Sequence, residues 1–271
     1  MQRLAPHRLK DAEKHLTSRE ETYEVWKGKH ICFLGDSITD AVTVNVGERY
    51  FELLAEKVGF IPHGYGVNGA QYHNLLSQAE RMHEELGDTV DAIFLFAGTN
   101  DYNAAKPLGE WYTLTPEYVT VHRNAATGEP SLQDNRLRRD FIFDDTTFKG
   151  SINKVLSFLK THYADKPIVL MSPLHRAYAD FGCENIQYNE LYPNARGLYL
   201  DDYLKVVREA ANVWATEFID MNAVSGLFPL YDKSASLYFA NDKFDRLHPG
   251  KRGHSRMAEV LYRKLPTIAL F

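Results

Sequence analysis

Apolar residues recur along this chain in two patterns that take turns: short continuous runs, and a one-face repeat at helical spacing. Ile31-Cys32-Phe33-Leu34 is a run and predicts the first strand. Tyr50, Leu53, Leu54 and Val58 then share one helical face, predicting a helix over about 49–58 that Gly59 stops. A short strand follows and ends in Gly64-Tyr65-Gly66-Val67-Asn68-Gly69; a helix over about 72–86 closes at Gly87-Asp88. Ala92-Ile93-Phe94-Leu95-Phe96 is apolar throughout, the mark of a parallel strand covered on both faces. Later segments predict helices near 148–163, 199–216 and 250–264, with strands at 167–171 and 217–220.

Strand and helix thus alternate five times, which argues for a doubly wound α/β sandwich on a mostly parallel sheet of about five strands. No repeat, low-complexity tract or linker interrupts the pattern, so a single domain over 1–271 is expected. A polar helical leader occupies 7–28 within an N-terminal segment, 1–29, that precedes the core. Two intervals, 102–146 and 172–198, exceed ordinary loop length and leave the carboxyl ends of strands, where open α/β sheets bind ligands. The first carries Trp111, Tyr112, Tyr118, His122 and Arg123; the second carries His175, Arg176, Tyr178, Tyr188 and Tyr192. Both are expected to border the functional crevice.

Composition narrows the function classes. With 44% apolar and 25% charged residues, the chain has the make-up of a globular protein that buries a real core. Its net charge is −5 with no basic block, which argues against a nucleic-acid partner. No apolar run approaches the roughly 18 residues of a membrane span. The first 29 residues are charged throughout and lack the apolar stretch of a secretory signal, so a cytoplasmic protein is expected. Cys32 lies in the first strand and Cys183 stands alone, so no disulfide is expected.

Candidate chemistry sits at the strand ends. Ser37 follows the first strand in Gly35-Asp36-Ser37-Ile38, and Asp245-Arg246-Leu247-His248-Pro249 lies near the other end of the chain. A serine hydroxyl is a poor nucleophile unless a base takes its proton and a third group holds that base. Ser37, His248 and Asp245 are the parts for such acyl transfer. Gly69 and Asn100 follow neighbouring strands and are expected to converge with Ser37 on one crevice. The N–H groups of Ser37 and Gly69 and the amide of Asn100 offer three donors for a tetrahedral oxyanion.

The four blocks together resemble the SGNH hydrolases, the GDSL-type esterases and lipases. Gly35-Asp36-Ser37-Ile38 is similar to the nucleophile block, with Ile38 in place of the leucine of the family's nickname. Gly66-Val67-Asn68-Gly69, Gly98-Thr99-Asn100-Asp101 and Asp245-Arg246-Leu247-His248-Pro249 resemble the glycine, asparagine and histidine blocks. The resemblance runs from residue 31 to about 260. It implies a flavodoxin-like three-layer α/β/α sandwich, a Ser37-His248-Asp245 triad with Ser37, Gly69 and Asn100 as oxyanion donors, and no metal or organic cofactor.

Single residues also have plainer readings. Asp36, Thr99 and Asp101 read as turn and loop-ordering residues. His63, His73 and His83, each ten apart, match no metal-ligand spacing, and neither do His248 and His254. His122 and His175 read as solvated loop histidines. The long loops are rich in Tyr, His, Arg, Asp and Asn, which suits a polar alcohol half such as a sugar. The expected substrate is therefore a small polar ester such as an acetylated carbohydrate. Other readings stay open: a non-catalytic carbohydrate-binding module, a lipase or thioesterase for longer acyl chains, and a magnesium site on Asp36, Asp40 and Asp101 for phosphoryl transfer. Oligomeric state is open.

Overall fold

The computed structural model describes residues 23–43 and 47–270. The leader expected over 7–28 lies outside the described residues up to position 22. In the rest of it, Trp26 is buried and the Tyr23 ring stacks on Tyr262 at 4.2 Å, so this stretch belongs to the core rather than preceding it.

In chain order the first half forms β1 (His30–Gly35), α1 (Tyr50–Val58), β2 (Ile61–Gly64), α2 (Leu75–Leu86), β3 (Val90–Phe96) and α3 (Thr99–Asn103). A hairpin follows, β4 (Tyr112–Arg123) and β5 (Pro130–Phe141), then α4 (Phe148–His162), β6 (Ile168–Met171), β7 (Ala179–Asp180) and β8 (Ile186–Gln187). The chain closes with α5 (Leu200–Trp214), β9 (Glu217–Ile219), α6 (Met221–Val224), α7 (Asp232–Tyr238), β10 (Phe239–Asn241), β11 (Asp245–Pro249) and α8 (Lys251–Lys264).

Strands β2-β1-β3-β6-β9 form a five-stranded sheet, parallel at each pairing. Because side chains alternate across a strand, each continuous apolar run feeds two cores. Ile31 and Phe33 of β1, with Ala92, Phe94 and Phe96 of β3, pack beneath α1 and α8. Cys32 and Leu34, with Ile93 and Leu95, pack beneath α2, α4 and α5. A fully buried side chain of this size is worth about 1.5–3 kcal/mol, so the two layers together hold the sheet. Helix α1 ends as its sequence predicts: Gly59 adopts φ +88° and donates its N–H to Ala55 O.

Two expected loops are more structured than the sequence suggested. Interval 102–146 contains the twelve-residue strands β4 and β5, antiparallel from Tyr112↔Phe141 to Arg123↔Pro130. Interval 172–198 contributes β7 and β8 to a second small sheet, β10-β11-β7-β8. That sheet carries the histidine block on β11, so this block belongs to an antiparallel appendage and not to a strand end of the main sheet.

Candidate active site

Ser37 stands just beyond β1, in a turn that its neighbours make by hydrogen bonding. Asp36 O accepts the N–H groups of Thr39 and Asp40 at 3.0 and 2.9 Å, and Asp36 Oδ1 accepts Ile38 N–H at 3.0 Å. Gly35 is required by space: a Cβ there would sit 2.5 Å from Thr39 Oγ1 and 2.6 Å from Phe96 O. Buried Gln78 on α2 clamps the end of β1, accepting Gly35 N–H and donating to Gly35 O, both at 2.9 Å. Sequence reasoning missed Gln78. Its only signal was a polar residue among the apolar positions of a predicted helix.

The hydroxyl meets the far end of the chain. Ser37 Oγ lies 2.8 Å from His248 Nε2, and His248 Nδ1 lies 2.9 Å from Asp245 Oδ2. An ionised carboxylate only accepts, so Nδ1 carries the proton and Nε2 is left as the acceptor facing Ser37. Asp245 Oδ1 in turn accepts the N–H groups of Leu247 and His248 at 3.1 and 3.0 Å. The three-residue spacing therefore works through local backbone: one carboxylate oxygen wraps the main chain and the other holds the ring.

Gly69 and Asn100 arrive from the strands flanking β1. Asp40 ties the glycine block to the serine turn, accepting Asn68 N–H at 3.1 Å, Thr43 Oγ1–H at 2.7 Å and Val42 N–H at 3.0 Å. Gly69 takes φ +74°, a conformation that favours glycine. The Asn100 amide donates one N–H to Ala70 O at 3.0 Å, which leaves its second N–H for the cavity. Ser37, Asn68, Gly69, Asn100, Asp245 and His248 line one cavity of about 550 Å³. All five residues singled out from the sequence are thus brought together.

The opposite wall comes from interval 172–198: Phe181, Asn185 and Gln187. Behind it lies Arg176, whose burial brings its pKa down to about 10. Arg176 donates to Thr99 O and Oγ1 at 3.2 and 3.1 Å and to Gln187 Oε1 at 2.5 Å, with Tyr102 beneath its guanidinium. Gln187 Nε2 then donates to Asn185 Oδ1 at 3.0 Å. His175 is not a free loop histidine, since its Nδ1 lies 2.6 Å from Glu190 Oε1.

The aromatic residues of the other interval do not reach this cavity. Trp111 and Tyr112 instead line a separate groove of about 620 Å³ against α5, and Tyr118, His122 and Arg123 lie out along β4. The expectation that 102–146 borders the crevice is corrected for these residues: the hairpin is rooted on α4 and α5, where Asn153 Nδ2 donates to Trp111 O and Ile142 O and Phe141 stacks on Trp214 at 4.4 Å.

The three acids weighed as a magnesium site all accept backbone N–H groups. Asp36 and Asp40 order the serine turn, and Asp101 accepts Tyr72 N–H on both oxygens. Burial drives Asp36 up to about 6 and Asp101 up to about 7. Among the described residues, no group of three or more His, Cys, Asp or Glu is placed to hold a metal ion. His254 accepts Tyr50 N–H through Nδ1 at 3.2 Å, and burial lowers its pKa to about 3, so it is a neutral core residue.

A five-stranded parallel sheet in the order β2-β1-β3-β6-β9, covered by helices on both faces and with a serine in the turn after β1, defines a three-layer α/β sandwich. The chain belongs to the GDSL-like lipase/acylhydrolase family, whose model matches residues 33–256. No curated protein matches the sequence. Among solved structures, a protein from Lactobacillus plantarum is similar at 23% identity and TM-score 0.64, over 89% of this chain and 98% of that one. An acetylxylan esterase from Geobacillus stearothermophilus is similar at 19% identity and TM-score 0.52, over 89% and 96%. A member of the lipolytic G-D-S-L family from Veillonella parvula is similar at 17% identity and TM-score 0.53, over 87% and 97%. These likenesses establish the fold; the family supplies the chemistry, acyl-ester hydrolysis.

Proposed function

We propose that the protein is a serine esterase that removes a short acyl group, acetyl in the simplest case, from a small polar alcohol such as a carbohydrate. The observation that carries this reading is the hydrogen-bonded chain Ser37-His248-Asp245 opening onto the cavity shared with Gly69 and Asn100. Ser37 Oγ attacks the ester carbonyl while His248 Nε2 takes its proton, and Asp245 steadies the imidazolium. Charge on the carbonyl oxygen is met by the N–H groups of Ser37 and Gly69 and by Asn100 Nδ2. His248 then protonates the departing alkoxide, and water repeats the sequence on the acyl-enzyme.

Cavity chemistry supports the substrate class. Because His248 must reach the leaving oxygen, the alcohol half belongs on the histidine side, beside Phe181, Asn185 and Gln187. Arg176 fixes Gln187, and Gln187 occupies Asn185 Oδ1, so the Asn185 Nδ2 donors are left for an acceptor oxygen. An aromatic ring with fixed amides suits a hydroxylated partner better than an alkyl chain. A panel of p-nitrophenyl esters from acetyl to octanoyl, run beside acetylated sugars, tests this. Fastest turnover on the acetyl members is expected; a preference for octanoyl would reverse the assignment.

A further inference from the structure

Strand β2 leaves the main sheet before β1 ends. The register of β1 with β2 stops at Phe33↔Gly64, whereas its register with β3 runs on to Gly35↔Phe96. Beyond Gly64 the chain still donates twice to β1: Tyr65 N–H to Phe33 O at 2.8 Å, and Val67 N–H to Gly35 O at 3.1 Å. In a parallel ladder one residue bonds to two residues that lie two apart on its neighbour. Tyr65 O would therefore be the regular acceptor for Gly35 N–H. Gln78 Oε1 takes that proton instead, while Gln78 Nε2 donates to Gly35 O, both at 2.9 Å. A side-chain amide carries the donor and acceptor of a peptide group, so Gln78 stands in for the strand that has left.

That departure brings the glycine block to the serine. Gly66 passes so close to the serine turn that a Cβ on it would lie 2.6 Å from both Asp40 N and Thr39 C. Residues 67–70 then close a turn through Ala70 N–H to Val67 O at 3.0 Å, with Gly69 at its third position and φ +74°. Gly35 O is the joint between the two turns. It lies two residues before Ser37 and accepts from Val67, two residues before Gly69. Gln78 is the one polar side chain among the buried residues of α2, beside Leu75, Ala79 and Met82.

We propose that Gln78 is a positioning residue for ester hydrolysis: it fixes the serine turn against the 67–70 turn, so that the N–H groups of Ser37 and Gly69 face one oxygen. The inference rests on the esterase reading above. Gln78 touches no substrate in this role and acts only through Gly35. Oxyanion donors stabilise charge only within hydrogen-bonding distance of the place where it develops. Slack at Gly35 is therefore felt in the transition state more than in ground-state binding.

Hydrolysis of p-nitrophenyl acetate by the full chain, normalised to sites titrated with a fluorophosphonate, tests the proposal. Gln78→Met keeps the side chain's length and removes both bonds. Its kcat per titrated site should fall at least tenfold with KM within twofold of native, in a protein whose circular dichroism is unchanged. Gln78→Glu should recover most of that loss, because a buried carboxyl keeps its proton and can both accept from and donate to Gly35. Gln78→Asn ends a methylene short of reaching both groups; it should lose as much as the methionine variant and replaces it if that chain does not fold. Native kcat per titrated site in Gln78→Met or Gln78→Asn would overturn the proposal, and so would a loss confined to KM. A native chain that neither titrates nor turns over the ester would overturn the esterase reading itself, and this inference with it.

Discussion

Arg176 and Gln187 are joined at 2.5 Å inside the protein, and through that bond a guanidinium with almost no solvent contact sets the wall of the cavity facing Ser37. The same guanidinium holds Thr99, the residue before Asn100. One buried cation thus spans the two sides of the site, the asparagine turn and the Asn185–Gln187 wall. Truncating such a group leaves buried acceptors without donors.

Gln187→Ala is expected to free the Asn185 amide to rotate and so to weaken recognition of the alcohol half. KM for an acetylated sugar should rise several-fold, with kcat on p-nitrophenyl acetate little changed, because the activated leaving group needs no such recognition. Steady-state kinetics on the two substrates check it. Equal losses on both would point to a collapsed site instead.

Asn100→Ala removes a donor whose worth in comparable sites is about 3 kcal/mol of transition-state stabilisation, on the order of a hundredfold in kcat. KM should barely move. A raised KM with unchanged kcat would mean that Asn100 binds ground-state substrate.

Asp101→Asn should change how stability depends on pH. Burial raises this carboxyl from 3.8 to about 7 in the folded state, so between those values the native protein keeps a proton that the unfolded chain has lost. The sign follows: this contribution to stability is complete below about pH 4 and drains away as pH climbs to about 7. The asparagine variant cannot ionise and keeps an acceptor for Tyr72 N–H. Its stability relative to the native chain should therefore grow between pH 4 and 7, by on the order of a few kcal/mol. Urea unfolding across that range measures the difference; a constant or shrinking difference would contradict the assignment.

The five-stranded sheet and its flanking helices were legible in the sequence because continuous apolar runs and one-face helices have few other uses. Ser37, Gly69 and Asn100 were legible as a group because each follows a strand of one parallel sheet. The hairpin was not. Strand β4 reads Thr-Leu-Thr before Pro116 and Val-Thr-Val after Tyr118, β-branched positions that favour a strand, but Pro116 breaks the run and the whole interval is polar enough to pass for a loop. The role of Arg176 was hidden for a related reason. Nothing in a single chain distinguishes a loop arginine that reaches outward from one that folds inward over Tyr102 toward Thr99, seventy-seven residues away. Gln78 escaped notice because its partner, the backbone of Gly35, has no sequence signature.

The most direct test of Ser37 as a nucleophile activated by His248 is covalent labelling with a fluorophosphonate, followed by peptide mass spectrometry. The predicted result is a single adduct on the peptide containing Ser37, absent from Ser37→Ala and formed far more slowly in His248→Ala, with all three proteins folded. An unlabelled native protein, or an adduct that persists in Ser37→Ala, would contradict it.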